Sequence, residues 1–264
     1  MSLDPEKSAS HYNLGLLYKY EGDWERSFEH NLAANRLDPD NPAARRNLAI
    51  AATAPARWDV ARRTWQAEGI TLDGDGGPID MDFGITPVRL NPDGDAEVVW
   101  ARRIDPARAR IESVPIPASG YRHGDIVLND GAPEGTRTAG NEDYAVFNVL
   151  ALLQASTFET AIATIEVASD ADLQSLDTML TAAGHVMEDW TANVRMLCKQ
   201  CSEGRPHHAH DAELPPQWQA QRRLGVAIRA DVSIDAAALF QRWQDSTGAQ
   251  LLSFEIVPRR RSAD

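Results

Sequence analysis

The chain is short of cysteine, of positive charge and of long apolar runs. Only two cysteines occur in 264 residues, so no disulfide framework braces it as one braces small secreted domains. The start, Met1-Ser-Leu-Asp-Pro-Glu-Lys7, has neither the cationic nor the apolar part of a secretory leader. Together these absences predict a cytoplasmic protein. No eighteen-residue apolar run appears, which predicts no membrane-spanning helix. Lys and Arg number 26 against 39 Asp and Glu, a net charge of −13. Each phosphate contact would work against that repulsive field, so nucleic acid is not an expected partner, whereas a cationic partner is compatible with it.

Common enzyme signatures are missing too. There is no Gly-x-x-x-x-Gly-Lys-Ser/Thr loop, no Gly-x-Gly-x-x-Gly after a strand pattern and no Gly-x-Ser-x-Gly elbow. No His-x-Glu precedes the Cys-x-x-Cys, which removes the zinc deaminase pattern. No catalytic residue is assigned, and the reading leans away from an enzyme. What remains is an ordinary globular composition, 43 % hydrophobic and 25 % charged, over a length that suits two or three compact units.

The first of these units repeats. At an offset of 34, Asn13 falls on Asn47, Leu14 on Leu48, Gly15 on Ala49, Trp24 on Trp58 and Ser27 on Ala61. Such a period is that of two antiparallel helices per repeat. Asn13-Leu-Gly-x-x-Tyr18, Gly22-Asp-Trp24, Ser27, Ala34 and Asp38-Pro-x-Asn41 resemble the tetratricopeptide repeat (TPR) over residues 8–69. The resemblance implies helical hairpins over residues 1–69 and a peptide- or protein-binding groove. The groove positions it implies are Tyr12, Leu16, Lys19 and Tyr20, then Arg46, Asn47, Ile50 and Thr53. Two repeats cannot bury their own faces, so docking onto the rest of the chain or homo-oligomerisation stands beside partner binding.

Residues 70–157 read as a linker followed by a β-rich unit. Gly74, Gly76, Gly77 and Pro78 punctuate the linker, and Gly77 and Pro78 break the register that Asp73, Asp75, Asp80 and Asp82 would need for a calcium loop. Short strand-like runs follow at Thr86–Leu90, Glu97–Ile104, Arg110–Val114 and Asp125–Leu128. Asn91-Pro-Asp-Gly94 is the turn of a hairpin between the first two, and the spacing predicts a small barrel or curled sheet. His123, Asp125 and Asp130 are its titratable cluster.

Residues 158–264 run through strand, helix and strand patterns twice. Ala163, Ile165 and Val167 alternate; Ser169-x-x-Asp172 opens a helix with Leu176, Met179, Leu180 and Ala183 on one face. Trp190, Ala192, Val194 and Met196 predict the next strand. Leu224, Val226 and Ile228, then Ala236, Leu239, Phe240 and Trp243 after a Ser233 cap, then Leu252, Phe254 and Ile256 repeat the order. This β-α-β-β-α-β series predicts a ferredoxin-like domain, which makes the whole chain α+β.

The sharpest chemistry lies in the loop between its halves. Cys198-Lys-Gln-Cys201 is followed by His207, His208 and His210. A Cys-x-x-Cys knuckle aims two thiolates at one ion, and two of the three imidazoles can complete a tetrahedron, which points to zinc. A redox pair, a disulfide or solvated histidines are the other readings. A closed Cys₂His₂ shell is structural; an open position beside Glu203, Asp211 or Glu213 would be catalytic. Pro258-Arg-Arg-Arg261 is a short basic tail. The expected function is that of a non-enzymatic adaptor binding a protein or peptide partner, with structural zinc. A metal-dependent enzyme and a small-molecule-sensing protein are the alternatives.

Overall fold

The computed structural model describes residues 7–193, 219–229 and 235–259. It is a mixed α and β protein. Four helices come first: α1 (Ser8–Glu21), α2 (Trp24–Leu37), α3 (Pro42–Thr53) and α4 (Trp58–Ala67). Their ends are set by short polar residues. Asp23 accepts a hydrogen bond from the Arg26 amide, and Asn41 accepts from Ala43 and Ala44, with Pro42 filling the first turn of α3. Gly15 lets α1 and α2 cross closely: a Cβ there would stand 2.5 Å from the Asn31 side chain. Ser27 on α2 donates to the Gly15 carbonyl at 2.9 Å across the same crossing.

The linker carries no regular element until residue 85. It is nevertheless anchored, because the buried Arg62 guanidinium on α4 donates to the carbonyls of Asp73, Gly74, Gly77 and Pro78. Ile79 is buried completely just beyond. The loop therefore wraps a cationic side chain.

Five strands then close a barrel: β1 (Ile85–Leu90), β2 (Glu97–Arg103), β3 (Arg108–Ile111), β4 (Ile126–Ala139) and β5 (Glu142–Gln154). Successive strands are antiparallel, and a parallel pairing of Val88 with Phe147 and Arg89 with Asn148 seals it. Val88, Leu90, Val99, Ala101, Ala109, Ile111, Val127 and Val149 fill the interior. Leu128 points outward and joins Ile50, Ala61, Trp65 and Ile79 in a second core beneath the helices. The fourth strand runs well past Leu128, through Gly131, Pro133 and Gly135. Register shifts along β4 and β5 absorb those residues, which would stop a regular strand.

The last part contains β6 (Phe158–Glu166), α5 (Asp170–Ala182), β7 (Val186–Asp189), the short α6 (Trp190–Asn193), β8 (Gln221–Arg229), α7 (Ala236–Thr247) and β9 (Gln250–Val257). The sheet order is β7-β8-β6-β9, antiparallel throughout. Leu176 and Leu180 of α5 and Leu239, Phe240 and Trp243 of α7 pack with Ala161, Ala163, Ile165, Leu224 and Val226. Ser169 caps α5 through the Asp172 amide, and Asp235 caps α7 through Ala237. The strand expected from Trp190 onwards lies earlier, at Val186–Asp189. Asp189 caps the Thr191 amide at 2.9 Å and turns the chain out of the sheet, while the Trp190 indole lies across Gly225. Among the described residues no helix is long and apolar enough to cross a membrane.

Candidate functional site

Two polar seams bind the units together, and some of the sequence-predicted residues fall on them. In the first, Lys19 of α1 is almost wholly buried. Its Nζ donates to Asp130 Oδ1 of β4 at 2.7 Å and to Asn47 Oδ1 of α3 at 3.2 Å. Asn47 Nδ2 lies 3.4 Å from the Tyr12 hydroxyl. Asp130 Oδ1 also accepts from the Gly131 and Ala132 amides at 2.6 and 3.4 Å. Ile50 sits in the shared core, so close that a Cβ on Gly131 would stand 3.2 Å from its Cδ1. Lys19, Asn47 and Ile50 thus face the chain's own barrel. Leu16 is half-buried, Tyr20 is 68 % exposed, and the exposed Arg46 pairs with Glu68 at 2.7 Å.

The second seam joins barrel and sheet. Val114 and Ile116 pack against Trp190, Ala227, Phe158, Ile162 and Val186. Trp190 Nε1 donates to the Val114 carbonyl at 2.9 Å, and the Val114 amide donates to Glu188 Oε2 at 2.7 Å. Two residues on, the Ile116 amide donates to both Glu97 carboxylate oxygens, at 3.1 and 3.2 Å. Two acids from different units therefore grip one short segment. Burial pushes the Glu97 carboxyl up to about 7, and the neighbouring Glu188 charge adds to the rise. Glu188 is raised as well, again mainly by burial, against the pull of its Val114 hydrogen bond and of Arg137. Arg137 reaches in from the β4–β5 arm, lying 4.6 Å from the Trp100 ring centre and donating to the Val98 carbonyl at 3.0 Å.

The cluster of His123, Asp125 and Asp130 is divided by this arrangement. Asp130 belongs to the helix seam, whereas His123 and Asp125 serve the sheet seam. Asp125 is fully buried and accepts from Arg122, Ser156 and the tail residue Arg259, the last at 2.6 Å. His123 donates from Nδ1 to the Glu112 carbonyl at 2.9 Å and meets Phe158 edge-on; burial lowers its pKa. Both read as structural fastenings. Glu97, Glu188 and Arg137 carried no sequence signal, since each is an isolated charge in an ordinary strand pattern.

The proposed zinc ligands Cys198, Cys201, His207, His208 and His210 lie outside the described residues. Among the described residues no group of three His, Cys, Asp or Glu side chains is placed to hold a metal ion. A cleft of about 320 Å³ between α4 and the linker is lined by Asp59, Arg63, Gln66 and Asp75, a mixture of both signs.

No protein-family model matches the chain, and no curated protein matches it. Among solved structures, a hypothetical protein from Neisseria gonorrhoeae aligns with 69 % of this chain and 98 % of its own, at 10 % identity and a TM-score of 0.29. A likeness that slight carries no inference about fold or function.

Proposed function

We propose that this is a non-enzymatic interaction protein: a TPR-like helical module mounted on a β-barrel, followed by a ferredoxin-like unit whose loop 198–210 holds structural zinc. The 34-residue offset supports the first part. The β7-β8-β6-β9 order, with α5 and α7 sharing one core, supports the ferredoxin-like assignment. The zinc assignment rests on the Cys and His spacing alone.

The observation that carries the interaction reading is the division of the helical face. One half is fastened to the barrel by the Lys19–Asp130 pair. The other half presents the exposed Tyr20, with the half-buried Tyr12 and Leu16 and the exposed, Glu68-paired Arg46 as the remaining groove positions. An exposed aromatic beside an arginine that can exchange its Glu68 partner favours a partner segment with apolar and acidic residues. Peptides selected from a random displayed library on the intact chain should lose at least tenfold in affinity with Tyr20→Ala or Arg46→Glu, and keep it with Arg63→Glu on α4. Equal binding to all four proteins would refute the proposal. Metal content after purification without added metal, with Cys198→Ser as control, tests the zinc assignment separately.

A further inference from the structure

Arg102 and Arg103 are adjacent in β2 and meet opposite surroundings. Arg102 lies on the outside, paired with Asp82 at 3.0 Å and Glu112 at 2.6 Å. Arg103 shares its face with Val99 and Ala101 and is registered against Ala109, all three in the barrel interior. Its guanidinium lies 4.0 Å from the Phe147 ring centre, on the inward face of β5. Its Nε is buried and has no hydrogen-bond partner.

Other buried arginines leave one nitrogen unmatched but hold partners elsewhere. Arg89 donates to Asn148 and the Glu134 carbonyl, Arg122 to the Tyr121, Val257 and Pro258 carbonyls, and Arg259 to Asp125. Arg103 has no such side-chain bond among the described residues. The nearest acid whose charge it feels, Asp105, is already taken by the Ala107 and Arg108 amides and by Arg108 Nε. Burial accordingly lowers the Arg103 pKa. A ring face attracts the cation but accepts none of its five directed N–H bonds.

The wall beside it is polar in a complementary sense. Asn129 is wholly buried, and its Oδ1 has no partner. It is registered against Val149, which shares the inner face of β5 with Phe147 two residues away. The Asn129 amide bonds the Ala107 carbonyl, next to the turn that Arg103 leads into, so both groups belong to the same end of the barrel. Ala101 and Ala109 are the small neighbours of Arg103 on that inner wall.

We propose that this end of the barrel binds a small organic oxyanion, a carboxylate or a phosphate, gripped by the Arg103 guanidinium with Phe147 behind it. A planar guanidinium offers two parallel N–H bonds to such a group, and Nε is one of them in the common side-on geometry. A hydroxyl on the ligand would donate to Asn129 Oδ1. In a chain this acidic, the partly buried Arg103 is a local focus of positive potential.

Titration calorimetry at constant ionic strength in chloride, with sodium phosphate, acetate and lactate as the probes, tests this directly. At least one probe should bind saturably. Phosphate alone would assign a phosphate ligand, whereas the two carboxylates, with lactate tighter than acetate, would assign a hydroxy acid. Affinity should fall at least tenfold in Arg103→Gln and stay unchanged in Arg102→Gln. If Arg103→Gln does not fold, Arg103→Lys replaces it, since a point charge without the planar fork should also weaken binding tenfold. Absence of saturable binding by all three probes, or equal binding by the Arg103 variant, would overturn the proposal.

Discussion

Glu97→Gln should flatten the pH dependence of stability. The Glu97 carboxyl rises from an ordinary 4.5 to about 7, because burial and the Glu188 charge outweigh the hydrogen bonds from Ile116 and Ser119. That rise of roughly 2.5 units corresponds to about 3 kcal/mol at about 1.4 kcal/mol per unit. The folded chain holds the proton more tightly than the unfolded chain. Its contribution is therefore complete below pH 4.5 and is lost as the pH climbs to about 7. Glu188 is shifted in the same direction and titrates with it. His30 and His123 have lowered pKa values through burial, which adds stability as pH rises, so the difference between wild type and variant is the quantity to read. Urea midpoints followed by tryptophan fluorescence from pH 5 to 8 should show the variant gaining on wild type by an amount on the order of 3 kcal/mol by pH 8. A difference that does not change with pH, or that moves the other way, would refute the reasoning.

Asp130→Asn leaves the Lys19 ammonium buried without its counter-ion, so urea unfolding should report a loss of about 3 kcal/mol or more, and Lys19→Met with Asp130→Leu should recover much of it. Gly225→Ala places a methyl 2.2 Å from the Trp190 indole; thermal melts should show a loss of about 1–3 kcal/mol, with a changed tryptophan emission as the ring leaves the Val114 carbonyl. Arg62→Ala removes the donor that four linker carbonyls share, so limited digestion with an Asp-specific protease should cut at Asp73 or Asp75 several times faster than in wild type.

Periodicity made the helices legible. Leu176, Leu180, Leu239, Phe240 and Trp243, chosen for their spacing, all lie in one buried core. Capping chemistry marked starts such as Ser169. At Trp190 the pattern misleads, because a large apolar residue alternating with small ones satisfies a strand pattern equally well. What decides is Asp189 as a cap and the bare Gly225 surface across the sheet, neither of which is local in sequence. Pro133 and the glycines around it hid the length of β4, since bulges depend on the partner strand. The repeat singles out Lys19 and Asn47 from the sequence, but that Asp130 meets Lys19 depends on a contact 111 residues away. Single charges such as Glu97 and Arg103 gain meaning only once the barrel closes around them.

The pairing of β7 with β8 has a practical corollary. Asp189 is registered against Leu224, and the Arg223 amide donates to the Thr191 hydroxyl at 2.7 Å. The chain therefore leaves the sheet and rejoins it at the same corner. The end of α6 and the start of β8 are thus fastened side by side, so a short turn joining them would keep the β7–β8 pairing, and Trp190 with it, without rethreading a strand.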